Sequence, residues 1–573
     1  MPAFRFAAFV AVVLSGPALV ADDPKPGKPV KPPPPQEKHP AREVAPVVAA
    51  INREIDRRLT EAKVPPSPQT DDAEFLRRAY LDLAGRIPSW DRAAALLDSR
   101  DPDKRSNLID ELLASADFGR HLAETWRPLL APTDPTSGKY QPDRFSPWLA
   151  QELNRNVGWD KLAAGMLAFT GDVKDRPQSE FLMRHGDNAQ PKADRMAAGI
   201  GTAFLGIQIQ CAECHDHPFA PWKQADFWGI AAYFGKVRNT GIKGAPYVLT
   251  EDPDVKPLDV KNGGVERPAL RPGGAIVIPT AGGNKGAGRV VAAKVLGGRS
   301  QTLDDAAPFR PAFVEWLTGR DNPYFARAFV NRTWAQLFGR GLVTPVDNMH
   351  ENNPASHPVL LDLLAKEFVE SEFDVKHLIR CVCNSQAYQR SSRPTPRNES
   401  DSTLFSKMAV KPIGPEALYD SVAVVFAPIK SFTPGGKPGA GKPTKPDGGK
   451  PTKPMAGKPA AGPGDPRDAF VRYFRGQGGA EPGELAHGIP QFLRRMNGEL
   501  FNTPAPIVQR LVTEEASSER AIETLFLVAL SRRPTADEQA LMAKHVAGRP
   551  TAEAGYSGVL WILLNGGEFV LNR

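Results

Sequence analysis

Cysteine is scarce: the chain has four in 573 residues, Cys211, Cys214, Cys381 and Cys383. They stand in two close pairs, so neither pair closes a large loop, and a disulfide-stapled framework is excluded. Long apolar runs are scarcer still. One extends from Phe6 to Val13 and on through Leu19 and Val20, and no other is long enough to span a bilayer. With that segment removed, the sequence reads as no integral membrane protein. There is no G-x-S-x-G, no Walker loop and no G-x-G-x-x-G after a strand, so the usual hydrolase elbow and phosphate cradles lack their signatures. A basic body is lacking too. The formal charge is +7, but residues 1–21 contribute one unit, 22–41 one and 430–466 five, leaving the rest formally neutral. The excess sits in tails, and no basic face for nucleic acid follows from it.

What is present divides the chain into segments. Arg5, the apolar run and the small residues Ala18 and Ala21 predict a secretory signal peptide over 1–21, and hence export to a periplasm or cell envelope; the alternative is an uncleaved anchor. Residues 22–42 are rich in Pro and Lys and read as an extended tether. Residues 430–466 hold nine prolines and nine glycines, with GKPTKP at 441–446 repeated at 449–454, a composition that buries no core and reads as a disordered linker. Between and after them the pattern is mainly α. Helical spacing runs through DDAEFLRRAYLDLAGR, SNLIDELLAS, GRHLAETWRPLLA and FSPWLAQELNRNV. NPYFARAFVNRTWAQLFGRGL repeats Phe325, Phe329, Trp334 and Phe338 on a period of three to five, with Gly339 or Gly341 to close it. HPVLLDLLAKEFVES follows Ser356, a predicted N-cap. A helical unit is expected again over 467–573. Residues 236–305 differ: PYVLT, GAIVIP and RVVAAKVL predict a small β-rich insertion. The body therefore reads as a helical domain over 43–235, the insertion, and a second helical domain in two parts, 306–429 and 467–573.

The chemistry concentrates in QCAECHDHPF, residues 210–219. In C-x-x-C-H two thiols one turn apart can add to haem vinyl groups, and the histidine after them can ligate the iron, which makes Cys211, Cys214 and His215 candidate haem c ligands. A distal ligand would come from Met183, His185, Met196, Met349 or His350. Other readings stay open. Cys211 and Cys214 can close a local disulfide. Zinc can take Cys211, Cys214, His215 and His217, although four ligands so close together need a remote partner. Or His215, Asp216 and His217 can bond to each other and to backbone in a structural loop. Cys381 and Cys383, two apart on a predicted helix, face away from each other and read as buried small hydrophobes.

A second polar stretch, PVDNMHENNPASHP, offers Asp347, His350, Glu351 and His357 for acid–base or metal chemistry, and with them a hydrolase reading. The plainer reading is a loop joining two helices, held by Arg327, Asn331 and Arg332 from the helix before it.

Several of these stretches resemble a known family. FLRRAYLDLAGRIPS, KRSNLIDELLASADFGRHLAETW and GIQIQCAECHDHPFAPWKQADFWGIAAYF are similar to the planctomycete cytochrome-like domain of exported proteins. The segment from NPYFARAFVNRTW through AYQRSS, with LFLVALSRRPTADEQ and LWILLNGGEFVLNR, is similar to the companion planctomycete domain that usually follows it. The resemblance covers most of 45–430 and 467–573. It implies a haem-like motif at Cys211, Cys214 and His215, envelope or redox protein partners, and no known reaction. Many relatives carry a further N-terminal cytochrome domain, where this chain has the Pro/Lys tether. The function expected is electron transfer through haem c. The alternative is a non-redox envelope scaffold in which the motif is a structural loop, a disulfide or a zinc site.

Overall fold

The computed structural model describes residues 37–573 apart from 38, 41, 133–142, 188–189, 241–247, 252–269, 279–287, 428–465, 476–494 and 499–504. The signal segment, nearly all of the tether and nearly all of the linker lie outside the described residues. From Gln36 onward the chain forms one compact unit, mainly α with small β elements. Among the described residues no helix is long and apolar enough to cross a membrane.

The predicted helices form where their apolar periods lie, at Asp72–Leu83, Lys104–Ala114, Ala116–Leu130, Phe145–Asn154 and Phe325–Phe338. Phe325, Phe329, Trp334 and Phe338 are all buried, and Gly339 ends their helix at φ 73°, the left-handed stop that glycine adopts without strain. The next helix, Pro358–Glu370, departs from expectation. Its N-cap is His357, with no side-chain cap bond. Ser356 instead donates from Oγ to Leu342 O at 3.1 Å, so its hydroxyl closes the preceding loop.

The core crosses the β-rich excursion. Trp126, Phe329 and Phe368 form a stack with centroid spacings of 5.3 and 4.8 Å, and Trp159 leans on Trp126 and Phe329 at 4.5 and 4.7 Å. These rings come from four helices on both sides of residues 236–305, each pair contributing about 0.5–1.5 kcal/mol beyond area burial.

The expected β insertion contains the short strands Arg238–Thr240, Val248–Thr250, Leu270–Arg271, Ala275–Val277 and Val290–Val291. Val248–Thr250 pairs on one side with Arg238–Thr240 and on the other with Gly171–Asp172, a strand from the helical region. The other three strands make an antiparallel sheet with Ala275–Val277 central. That sheet packs on helix Gln224–Ala232. There Gly229 lets the backbone of Lys294 approach, and a Cβ at 229 would sit 3.0 Å from Lys294 O.

After the linker, helices Pro506–Thr513, Ser518–Leu530, Ala536–Ala547 and Ala552–Asn565 build a second apolar cluster with Leu81, Ile87, Ile413 and Leu418. The chain end returns to the first domain as well. Leu571–Asn572 pairs antiparallel with Lys411–Pro412, and Arg78 donates to Arg573 O at 2.5 Å.

Candidate functional site

The C-x-x-C-H stretch is an irregular crossing between two packed helices, Ala193–Ile200 and Gln224–Ala232. The first helix widens into a π-turn over Gly201–Leu205 and stops at Gly206, φ 65°. A Cβ at Gly206 would stand 2.5 Å from Met349 Cε and 3.1 Å from Ala328 Cβ, so both conformation and space call for glycine. Ile207 and Ile209 then bury, while Gln208 between them donates to Asp347 Oδ1 at 2.9 Å. Gln210–Glu213 is a single 3-10 turn with Ala212 buried, which leaves Cys211 and Cys214 exposed as free thiols.

The second helix holds this turn. Gln224 Nε2 donates to Glu213 O at 3.2 Å and to Cys214 O at 2.9 Å, Trp228 Nε1 donates to Glu213 O at 2.9 Å, and the Gln224 amide donates to Asp216 Oδ1 at 2.8 Å. The half-buried Glu213 carbonyl is thereby satisfied twice, as polar groups drawn out of water need to be. Sequence reasoning passed over Gln224 and Trp228. Their place one turn apart at the start of the helix after the motif was the available signal.

Hydrogen bonds sort the three histidines near the turn. His215 Nδ1 lies 2.7 Å from Asp216 O. A carbonyl only accepts, so Nδ1 carries the proton and Nε2 keeps a lone pair. His217 is the reverse: its Nδ1 accepts the amides of Phe219 and Ala220, at 3.1 and 2.9 Å. His350 Nδ1 likewise accepts the Asn352 amide at 3.2 Å. A neutral ring with Nδ1 as acceptor carries its proton on Nε2, and such a ring offers no lone pair to a metal. His215 is thus ready to ligate, and His217 and His350 are set to donate. Among the described residues no group of three or more His, Cys, Asp or Glu is placed to hold a metal ion.

The two polar stretches of the sequence meet in part. Besides the Gln208–Asp347 bond, the Met349 amide donates to Gly206 O at 2.9 Å and Asn352 Nδ2 reaches Phe219 O at 3.5 Å. His217 is held below the usual histidine range, first by burial and then by the charges of His350 and His215. Glu351 is exposed. His357 is elsewhere, buried against Phe405 with centroids 5.3 Å apart, so the four residues read together for acid–base chemistry do not assemble in one place. Of the three side chains expected to hold the loop, Asn331 does so, donating to Val343 O and Val346 O at 3.0 and 3.1 Å. Arg327 pairs with Asp362, and Arg332 donates to Thr202 O.

Of the other candidate distal ligands, Met183 is half-buried and three lie away from solvent. Met196 and His185 are buried, and Met349 is packed over Gly206. Cys381 and Cys383 are buried, and burial pushes the Cys381 thiol up to about 12 and raises Cys383 well above its ordinary value. In haem-free native protein, Cys211 and Cys214 should react with a disulfide reagent at least about a hundredfold faster than Cys381 and Cys383, because attack needs exposed thiolate. Thiol counting before and after unfolding checks this, and four equally fast thiols in native protein would contradict it.

Residues 50–239 match the family model PSCyt2, a protein of unknown function (DUF1549). Residues 309–454 match PSD1, a protein of unknown function (DUF1553). Neither a curated protein nor a solved structure matches the chain.

Proposed function

The chain belongs to the planctomycete cytochrome-like family in which that domain precedes its companion, and on this premise we propose that it is an exported c-type haem protein that passes electrons through a porphyrin held by Cys211, Cys214 and His215. One observation carries the reading: two free, exposed thiols flank a single turn, and the imidazole beside them has Nδ1–H committed to Asp216 O. The donor set fits covalent haem. A haem bound there would supply a one-electron couple. Cys211 and Cys214 would hold its edge and His215 would offer Nε2. The Asp216 carbonyl fixes the tautomer and orientation of the His215 ring and makes it a stronger donor. Gln224 and Trp228 hold the turn from beneath, so the thiols and imidazole stand on a fixed support. The exposure of the turn favours contact with a redox protein partner of the envelope.

Zinc is the weaker proposal, because it needs His217 as a ligand and that ring carries its proton on Nε2. A non-redox scaffold is the rival, favoured by the bonds from Gln224 and Trp228 that hold the turn as a structural loop. Protein made alongside a c-type haem maturation system decides between them. Its colour should survive denaturation and acid–acetone extraction. Cys211→Ala/Cys214→Ala should lose all of it, and His215→Ala should keep attached haem with an altered spectrum. Colourless protein from a host whose own cytochromes mature would overturn the haem reading in favour of the scaffold.

A further inference from the structure

We propose that Asp216 is a positioning residue for His215: its carboxylate hangs the turn on the first amide of helix Gln224–Ala232 and so aims the imidazole. Two bonds meet at Asp216 from opposite sides. Its carbonyl accepts the His215 Nδ1–H at 2.7 Å, and its Oδ1 accepts the Gln224 amide at 2.8 Å. The first bond alone would let the Asp216 carbonyl turn and take the ring with it. The second removes that freedom. Gln224 is the first residue of its helix, after the N-cap Lys223, so its N–H has no partner inside the helix. A carboxylate there also meets the positive end of the helix dipole.

Gln224 grips both neighbours of His215. Its amide holds Asp216, and its Nε2 donates to Cys214 O at 2.9 Å. The residues on either side of the ring are thus tied to one residue of a helix that is buried from Phe227 to Ala232. The chain between Asp216 and Gln224 is closed on itself. The His217 amide donates to Trp222 O at 2.8 Å, and His217 Nδ1 accepts the amides of Phe219 and Ala220. Pro218 and Pro221 fix two φ angles within it. Asp216 itself is exposed, so the core does not depend on its carboxylate. The value of the brace to a haem rests on the function proposed above; its hold on the His215 tautomer does not.

The test uses haem-free full-length chain with 15N-labelled histidines, at a pH where the imidazoles are neutral. Long-range proton–nitrogen spectra should report Nδ1–H at His215. Asp216→Ala keeps the backbone carbonyl and loses only the carboxylate, and the ratio of Nδ1–H to Nε2–H at His215 should fall about fivefold, as loss of one ordinary hydrogen bond predicts. Asp216→Asn keeps an oxygen for the Gln224 amide and should restore the parent ratio. A second pair removes the donor instead. Gln224→Pro and Gln224→Ala both lose the side chain, but only proline loses the N–H. Proline is tolerated at the first helical position, and Lys223 before it already has the extended backbone that proline requires (φ −97°, ψ 155°). The proline variant should show the ratio about fivefold below the alanine variant. Nε2–H at His215 in the parent, or a ratio unmoved both by Asp216→Ala and between the Gln224 pair, would overturn the brace. In haem-loaded protein Asp216→Ala should keep its covalent colour, since both thiols remain, and added imidazole should displace His215 at about fivefold lower concentration. Displacement at the parent's concentration would overturn the value of the brace to haem. If no haem loads, the proposed function falls and the tautomer ratios still decide the brace.

Discussion

Asp82→Ala should lower the stability of the body by about 3–5 kcal/mol, the usual penalty for leaving a buried charge without its partner. Asp82 is 6% exposed on helix Asp72–Leu83. Its carboxylate accepts from Lys411 Nζ at 2.8 Å, Tyr388 Oη at 2.9 Å and Asn572 Nδ2 at 2.7 Å. Those partners come from three distant parts of the chain, one of them next to its last residue. Removing the carboxylate leaves the Lys411 ammonium on the carbonyls of Gln336 and Leu337 without a counter-charge, takes the acceptor from the buried Tyr388 phenol, and loosens the strand pairing of Leu571–Asn572 with Lys411–Pro412. Asp82→Asn/Lys411→Met removes the charge from both sides while keeping an acceptor oxygen for Tyr388. It should recover most of the loss, since paired removal of buried charges is often close to neutral. Urea unfolding of the single and double variants measures both. A single variant within 1 kcal/mol of the parent would show that water replaces the carboxylate, contrary to its burial.

That cluster illustrates what sequence reading reached and what it missed. Asp82 lies in a helix readable from the helical spacing of Phe75, Tyr80, Leu81 and Leu83. Its partners have no sequence signal, since a contact between residues 82 and 572 depends on tertiary packing alone. The same limit applies at the site. The reactive turn was legible, since C-x-x-C-H is a local string and the pairing of Cys381 with Cys383 on a helix excludes a bridge by geometry. The tautomers were not: they depend on which backbone amide each imidazole meets. His350 and His357 looked like one cluster because they are near in sequence. The loop turns between them, and the helix beginning at Pro358 carries His357 into the core while His350 stays with the Cys turn. Gly171–Asp172 was missed as a strand because two residues have no period; Val248–Thr250 alone defines it, by pairing.

Buried neutral histidines should make the fold acid-labile well above the usual carboxylate range. Burial holds His185 and His357 at about 4, against 6.5 for a free side chain. His185 contacts Phe181 O through Nδ1 at 2.8 Å, and its Nε2 edge abuts Gly199, where a Cβ would come within 2.3 Å. The sign follows from proton uptake. Above pH 6.5 neither state protonates these rings; below it the unfolded chain binds protons that the folded chain refuses, so stability falls from about pH 6.5 to about pH 4 and then levels. For His185 the loss between pH 7 and pH 5 is about 2 kcal/mol, from 1.36 kcal/mol per pH unit below the unfolded value. Glu124 acts in the opposite sense. Burial raises its carboxyl to about 7, so the folded state gains protons over the same interval and the raw pH curve blends the two. The comparison that isolates the histidine is His185→Gln against the parent. Gln keeps a donor for Phe181 O and cannot titrate. The variant should be the less stable at pH 7 through lost packing, and the gap should close by about 2 kcal/mol at pH 5. A gap that stays constant across that interval would mean that His185 protonates in the folded state and that its helix yields to the charge.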